Sequence, residues 1–379
     1  MGFTLSAEQK MIGLMARDFA KKEIEPFASK WEREETFPLE AVRKMGELGL
    51  LGMMVPAEYG GSGAGAVSYC LALQEIAYAC ASTAVTMSVA NLSTEPLLKF
   101  GSPGQKEKFL TRLASGEMLG CFALTEPSAG SDPGGLQIRA LDKGDHYLIN
   151  GTKIFITHGG YADVVNLIAR TDPEKGNNGL SAILVEKGTP GFSVGSKEDK
   201  MGLRASNTVE LIFEDCRVPK ENLLGRSGQG FKIAMTALDS GRIGIASQAI
   251  GIARACMSEA VRYAKDRKQF GRSISSFQAI QWMIADMATG IEAAHLLTLS
   301  AADRKDQGLP FTTEASMAKL FASEVANRTA YHALQIHGGY GYTKEFKIER
   351  LSRDARATTI YEGTSEIQRI VIARNILKD

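Results

Sequence analysis

The sequence contains no apolar run of about 18 residues, so no transmembrane helix is expected. Its opening residues lack a basic stretch followed by an apolar core, which argues against a secretory leader. Cysteine is sparse and oddly numbered. The five residues Cys70, Cys80, Cys121, Cys216 and Cys256 include no C-x-x-C pair and cannot all be bridged within the chain. They read as reduced packing residues in a bacterial-type cytoplasmic setting. The five histidines form no zinc motif; His332 and His337 stand one step beyond the i, i+4 spacing that aligns two ligands on a helix. No metal is expected. Charge of one sign is also missing. Lys and Arg number 44 against 43 Asp and Glu, a net +1, so there is no footprint for nucleic acid and little for a membrane surface.

What is present is ample apolar material, 44% of 379 residues, too long a chain for one ordinary core. From Ser6 to about Met118 the pattern is helical, with Ile12, Met15 and Phe19 at i, i+3, i+7. Met1 to Ser6 fits a myristoylation pattern. Ser6 with Gln9 fits a helix-opening capping box, which we prefer. A long small-residue helix is predicted from about Val67 to Val89. From Leu119 to Gly225 the texture changes to strands. Tyr147 to Ile149, then Asn150-Gly151, then Thr152 to Thr157 predicts a hairpin. Further strands are expected at Val164 to Ala169, Ser181 to Val185 and Val209 to Phe213. After Gly230 helices return, at Phe231 to Asp266, Ser276 to Lys305, Thr313 to His337 and Glu366 to Leu377. The order predicts an α+β multidomain chain divided at 1–118 (helical), 119–225 (β) and 226–379 (helical bundle).

One phosphate-binding motif is rejected. Gly61-x-Gly63-x-x-Ala66 matches the loose dinucleotide fingerprint, and Leu50 to Val55 precedes it. Pro56 cuts that run off, and no strand ending in an acid follows. The expectation is a loop between two helices.

Three longer stretches carry a resemblance. They are Cys121 to Asp132 (CFALTEPSAGSD), Gln335 to Tyr342 (QIHGGYGY), and Arg353-Asp354-Ala355-Arg356 continuing through Ile360 to Gln368 (IYEGTSEIQ). With them the chain resembles the acyl-CoA dehydrogenase family end to end, nearest its short-chain, butyryl-type branch. That resemblance implies a helical N-terminal domain, a middle β-barrel or sheet domain, a C-terminal four-helix bundle, FAD and a homotetramer. It further implies electron-transfer flavoprotein as partner and a place in fatty acid β-oxidation.

Desaturating a thioester between C2 and C3 needs a base for the C2 proton and a hydride acceptor for C3. The base must be poised near neutral pH, which burial does for a Glu. Donors on the thioester oxygen must stabilise enolate charge. By the resemblance Glu362 is the base, its own N–H holding that oxygen, and Gly363 leaves room beside it. Without the resemblance, Glu362 would read as a first-turn acid offsetting a helix dipole. A related branch places its base at the position of Gly241, which cannot titrate. Ser131, Leu238, Asp239, Arg242, Tyr361 and Gly363 are implied substrate contacts, with Arg242 also a charge partner for the base. Read as residues alone, Asp239 and Arg242 make a solvated helix ion pair.

The flavin contacts implied in the middle segment are Phe122, Leu124, Thr125, Gly130, Ser131, Phe155, Ile156 and Thr157. Phe155 covers the ring face and Thr157 reaches flavin N5. Arg267 and Phe270 serve the diphosphate. Gln278, Gln335, Ile336, Gly338 and Gly339 are implied to reach FAD from a neighbouring subunit, and Thr364 and Glu366 to approach it at the last helix start.

The acyl pocket is expected among Tyr78, Val85, Met87, Asn91, Leu92 and Leu238. Val89 to Pro96 departs from the short-chain pattern by one residue, which leaves branched, alicyclic or aromatic-pathway acyl groups open. An acyl-CoA oxidase is the alternative within the fold, though such oxidases are longer. A DNA-associated flavoprotein needs a basic C-terminal extension, and a non-enzymatic scaffold has no use for an intact Tyr361-Glu362-Gly363-Thr364.

Overall fold

A computed structural model describes residues 4–378. The Ser6 hydroxyl accepts the Gln9 N–H at 3.1 Å, and the Gln9 side chain accepts the Ser6 N–H at 2.9 Å. This is the predicted capping box, and it opens α1 (Ala7–Phe19). The Met1-Gly2-Phe3 part of the lipidation pattern lies outside the described residues.

Helices α2 (Glu25–Glu34) and α3 (Leu39–Glu47) follow. The single helix expected from Val67 to Val89 is two, α4 (Gly65–Ala79) and α5 (Ala81–Phe100). Cys80 divides them in an extended conformation, φ −156° and ψ 113°. No Gly or Pro marks the break. Ala77 and Ala79 before it and Ala81 and Ala84 after it are all buried, so tertiary packing sets the bend. The short α6 (Pro103–Gln105) and α7 (Thr111–Ser115) end this part.

The rejected phosphate loop is packed. Leu50 to Val55 form turns rather than a strand. A Cβ on Gly61 would collide with the Val55 carbonyl. The Ala66 and Val67 N–H groups at the start of α4 donate to the Asp306 carboxylate at 2.6 and 3.0 Å, so this helix end already holds its anion.

The middle of the chain is one eight-stranded sheet. Its strands are β1 (Gly120–Ala123), β2 (Arg139–Asp142), β3 (His146–Thr157), β4 (Val164–Arg170), β5 (Leu180–Glu186), β6 (Phe192–Lys197), β7 (Thr208–Pro219) and β8 (Leu223–Leu224). The order is β6-β7-β3-β2-β4-β5-β8, with β1 parallel to β4. The predicted hairpin is corrected. Tyr147 to Thr157 is continuous β3, and Asn150-Gly151 falls at an irregularity in its pairing with β7. Gly151 has φ 141°, and a Cβ there would lie 2.8 Å from Ile138 Cγ1, so glycine serves close packing rather than a turn. A second irregularity, between Lys153 and Ile156, presents Phe155 at φ 57°.

The C-terminal part comprises α8 (Gly230–Asp266), a small ribbon of β9 (Lys268–Gln269) and β10 (Arg272–Ser273), α9 (Gln278–Asp306), α10 (Thr312–His337), α11 (Lys347–Ala357) and α12 (Ser365–Ile376). Leu73 and Ile76 of α4 share one core with Ala246 and Ile250 of α8 and Ala318 and Ala322 of α10. That shared core ties the first helical part to the last. All five cysteines are buried and unpaired. Among the described residues no helix is long and apolar enough to cross a membrane, and no group of three His, Cys, Asp or Glu could hold a metal.

Candidate active site

Glu362 lies in the link between α11 and α12. Thr364 is the N-cap of α12, its hydroxyl accepting the Ile367 N–H at 3.3 Å. Glu362 therefore stands two residues before the cap and is not the first-turn acid; Glu366 is. Both Glu362 and Gly363 are left-handed, at φ 53° and 87°. A non-glycine residue there costs about 1 kcal/mol, so the turn must be held. Gln368 Nε2 donates to the Glu362 carbonyl at 3.1 Å and to the Gly363 carbonyl at 2.9 Å. Lys319 Nζ, on α10, donates to the Gly363 carbonyl at 2.7 Å. The Tyr361 hydroxyl bonds the Gln248 side chain of α8.

Glu362 is half-buried as a residue, with its Oε2 closed off from solvent. Burial raises its pKa to about 7, with the Lys319 and Arg242 charges pulling the other way. Its Oε2 has no hydrogen-bond partner among the described residues. A Cβ on Gly241 would lie 2.6 Å from that oxygen, so the carboxylate rests against a residue of α8 that offers no side chain. Arg242 is 4% exposed, which removes the solvated ion-pair reading. Its guanidinium bonds Asp239 Oδ1 at 2.5 Å and Ser316 Oγ at 3.4 Å, so it reaches Glu362 through its field rather than a contact. Asp239 spends its second oxygen on Thr312, at 2.6 Å. Leu238 is half-buried beside it. Buried Tyr69 of α4, bonded to Ser88 at 3.2 Å, feels the Glu362 charge.

The middle-segment residues gather at one end of β1 and β3. Phe122, Leu124, Thr125 and Thr157 are half-buried, while Gly130 and Ser131 are exposed. The Thr125 carbonyl accepts the Ile154 N–H at 3.0 Å, joining the two segments. Phe155 is 59% exposed, held out by the bulge. Ile156 points into the sheet core and can offer only backbone to a ligand.

A second group forms elsewhere. Arg267, Ile336, Gly338 and Gly339 line a cavity of about 520 Å³ together with Tyr263, His337 and Tyr340. The Arg267 guanidinium lies over the Tyr340 ring at 5.6 Å. No atom approaches within 4 Å of where a Cβ would stand on Gly338 or Gly339. Gln278, Gln335 and Phe270 are exposed, Phe270 by 93%. Of the acyl-pocket residues, Asn91 is structural. It accepts the Met53 N–H at 3.0 Å and donates to the Leu50 and Met87 carbonyls. The Tyr78 hydroxyl donates to Ser258 at 2.9 Å. Val85, Met87 and Leu92 are buried.

Sequence reasoning missed Lys319, Gln368, Gln248, Lys153 and Tyr69. For Lys319 the signal was a lone cation in the small-residue stripe Ala315, Ser316, Ala318, Ala322 and Ser323, the face α10 buries. For Gln368 it was the end of the IYEGTSEIQ motif. Lys153 is likewise wholly buried, bonded to Glu126 at 2.9 Å and the Leu124 carbonyl at 2.7 Å.

Comparison with known proteins agrees with this layout. The N-terminal, middle and C-terminal domains of acyl-CoA dehydrogenase match residues 6–117, 121–216 and 228–377. A short-chain-specific acyl-CoA dehydrogenase of Clostridium acetobutylicum is 49% identical, with all of both chains covered. Butyryl-CoA dehydrogenase of Megasphaera elsdenii superimposes with a TM-score of 0.98 at 46% identity, covering 100% of each chain. A chain from a structure of the electron transferring flavoprotein of Acidaminococcus fermentans gives 0.99 at 49% identity, again over 100% of each chain. Helices, sheet and helices in this order, shared end to end with relatives named acyl-CoA dehydrogenases, define an oxidoreductase acting on CH–CH bonds. The chain belongs to the acyl-CoA dehydrogenase family.

Proposed function

We propose that the chain desaturates a short acyl-CoA thioester to its 2,3-enoyl form, with Glu362 removing the C2 proton. The carrying observation is the Glu362 carboxyl: desolvated, without a partner on Oε2, and poised at about 7. A general base works best when its pKa is near the operating pH. The space that Gly241 leaves is taken by the Glu362 carboxylate, and that beside Gly363 by the Gln368 amide, so the two glycines let the base seat rather than open room for the acyl chain. Ser131, Leu238, Asp239, Arg242 and Tyr361 would border the acyl-CoA. The Glu362 N–H is the donor we assign to the thioester oxygen, where charge builds as the proton leaves. The buried Arg242 charge favours the ionised base without bonding it.

The residues present fit FAD. An aromatic ring displayed at a bulge, half-buried hydroxyls beside it, and an arginine facing two open glycines are the donor types that a flavin and a diphosphate require. Phe122, Leu124, Thr125, Gly130, Ser131, Phe155, Ile156 and Thr157 would hold the ring end. Arg267, Phe270, Gln278, Gln335, Ile336, Gly338, Gly339, Thr364 and Glu366 would hold the remainder. Bound there, FAD supplies the hydride acceptor for C3. Because the cavity lined by Ile336, Gly338 and Gly339 belongs to a different core from the one that carries Phe122 and Leu124, we assign Gln278, Gln335, Ile336, Gly338 and Gly339 to the FAD of a neighbouring subunit in a homotetramer. Electron-transfer flavoprotein is the acceptor we assign, supported by the likeness to the Acidaminococcus fermentans chain.

The test is spectroscopic. The purified protein is expected to be yellow with about one FAD per chain, and anaerobic butyryl-CoA is expected to bleach it. A flavin that no acyl-CoA bleaches overturns the reading, and rapid reoxidation by air would make the protein an oxidase.

A further inference from the structure

Lys319 has no part in the chemistry above, yet it is fully buried on α10 and donates to Gly363 rather than to a carboxylate. A lysine at zero exposure is costly unless its ammonium does something specific. Its hydrogen bond goes to the residue after the base. Gln368, also at zero exposure, reaches the same carbonyl and that of Glu362 from the first turns of α12. Two buried donors from two helices thus converge on two consecutive carbonyls, and those belong to the left-handed Glu362 and Gly363. The Gly363 glycine is required by the same packing, since a Cβ would lie 2.7 Å from Gln368 Nε2.

Resting on the function proposed above, we infer that Lys319 and Gln368 are positioning residues: together they clamp the Glu362–Gly363 turn and hold the base against Gly241, and Lys319 also lends it a positive charge. The clamp explains how a strained turn survives beside a cleft that must admit substrate. It also explains why the charge sits behind the backbone. An ammonium bonded directly to the carboxylate would compete with the C2 proton, whereas one bonded to the next carbonyl favours ionisation and leaves Oε2 free. The groups that bear on Glu362 are Tyr69 from α4, Arg242 with its partner Asp239 from α8, and Lys319 from α10, with Tyr361 adjoining in its own segment. Glu324 and Glu366 bear on Lys319 in turn. Arg242 is neutralised at 2.5 Å by Asp239, while Lys319 bonds a carbonyl and no carboxylate among the described residues. Lys319 is therefore the larger of the two charges that favour the ionised base.

The experiment compares the holoenzyme with Lys319→Met, Lys319→Gln and Gln368→Met. Infrared difference spectra read the protonation of Glu362 directly, its band assigned by loss in Glu362→Gln; rapid mixing with butyryl-CoA reads flavin reduction. Lys319→Met is expected to move the Glu362 titration upward by about one pH unit or more. It is also expected to slow reduction at pH 7 by about tenfold, partly recovered at higher pH. Lys319→Gln keeps a donor for the Gly363 carbonyl and loses the charge, so it is expected to show the titration shift with the smaller loss at high pH. Gln368→Met is expected to slow reduction about tenfold while leaving the titration in place. If Lys319→Met does not fold, Lys319→Gln provides the same test of the charge. A folded, FAD-loaded Lys319 variant whose Glu362 titrates as in the parent, and whose reduction is within about twofold, overturns the inference. Failure of the parent flavin to be reduced by any acyl-CoA overturns the proposed function instead, and the infrared titration still reports on the clamp.

Discussion

Two regions of this molecule use the same device and end differently. In the sheet, Phe155 is left-handed at φ 57°, and two residues away wholly buried Lys153 donates to the Leu124 carbonyl at 2.7 Å. Between the helices, Glu362 is left-handed at φ 53°, and wholly buried Lys319 donates to the Gly363 carbonyl at 2.7 Å. Each lysine has its pKa lowered to about 8, chiefly by burial. The difference lies in the carboxylate. Lys153 is bonded to Glu126 at 2.9 Å, and Glu126 also accepts the Gln137 and Ile138 N–H groups. That network is closed and structural. Lys319 leaves its nearby carboxyl unbonded, and there the pKa rises to about 7. A buried lysine bonded to its carboxylate builds a frame; one that leaves the carboxylate open poises, in our proposal, a base.

The comparison can be broken from the structural side first. Lys153→Met strands Glu126 without its cation, and loss of one member of a buried pair costs about 3–5 kcal/mol. A fall in thermal midpoint much larger than for Lys319→Met is the expected result, and equal falls would erase the distinction. Gly241→Ala acts on the open side. Its methyl must displace the Glu362 carboxylate, and a misplacement of about 1 Å costs about a hundredfold in rate. Flavin reduction by butyryl-CoA is expected to drop by that order with FAD retained. In Glu362→Gln, adding Gly241→Glu places a carboxylate in the same space and is expected to restore part of the rate.

Smaller effects separate strain from use. Phe155→Gly and Glu362→Gly each relieve a left-handed residue, and each is expected to raise stability by about 1 kcal/mol. The first is expected to weaken FAD retention and the second to abolish turnover while keeping FAD. A separate effect is in the pH dependence of stability. The Glu362 carboxyl rises from an ordinary 4.5 to about 7, so between those values the folded chain binds the extra proton. Stability from this group therefore falls as pH rises across that window. Lys319 falls from 10.5 to about 8, so the unfolded chain binds more protons above 8, and that contribution recovers as pH rises toward 10.5. The midpoint of Glu362→Gln is expected to gain on the parent between pH 4.5 and 7.

Much of this was legible in the sequence. The capping box at Ser6 and Gln9 and strands β4 and β5 stand where patterning puts them, because each rests on local chemistry or alternation, whereas the expected Val209 to Phe213 is only the first part of a longer β7. Glu362 was legible through its motif. The break at Cys80 was not, since no residue there is a helix breaker and the bend answers to packing against α8. Asn150-Gly151 misled because the dipeptide that favours a hairpin also suits a bulge whose glycine meets Ile138. Lys153 and Lys319 stayed hidden for a related reason. Their carbonyl partners lie 29 and 44 residues away, and a lysine among small residues reads as solvated until the fold closes over it.

The central claim is that Glu362 is the base, and rapid-mixing reduction of the bound flavin by butyryl-CoA tests it without any electron acceptor. In the parent the rate is expected to rise with pH through about 7, as the Glu362 carboxyl ionises. In Glu362→Gln, with fold, FAD and acyl-CoA binding intact, the rate is expected to fall by about 10²–10⁴ or more and to lose that pH dependence. Reduction of the Glu362→Gln flavin at the parent rate would contradict the account.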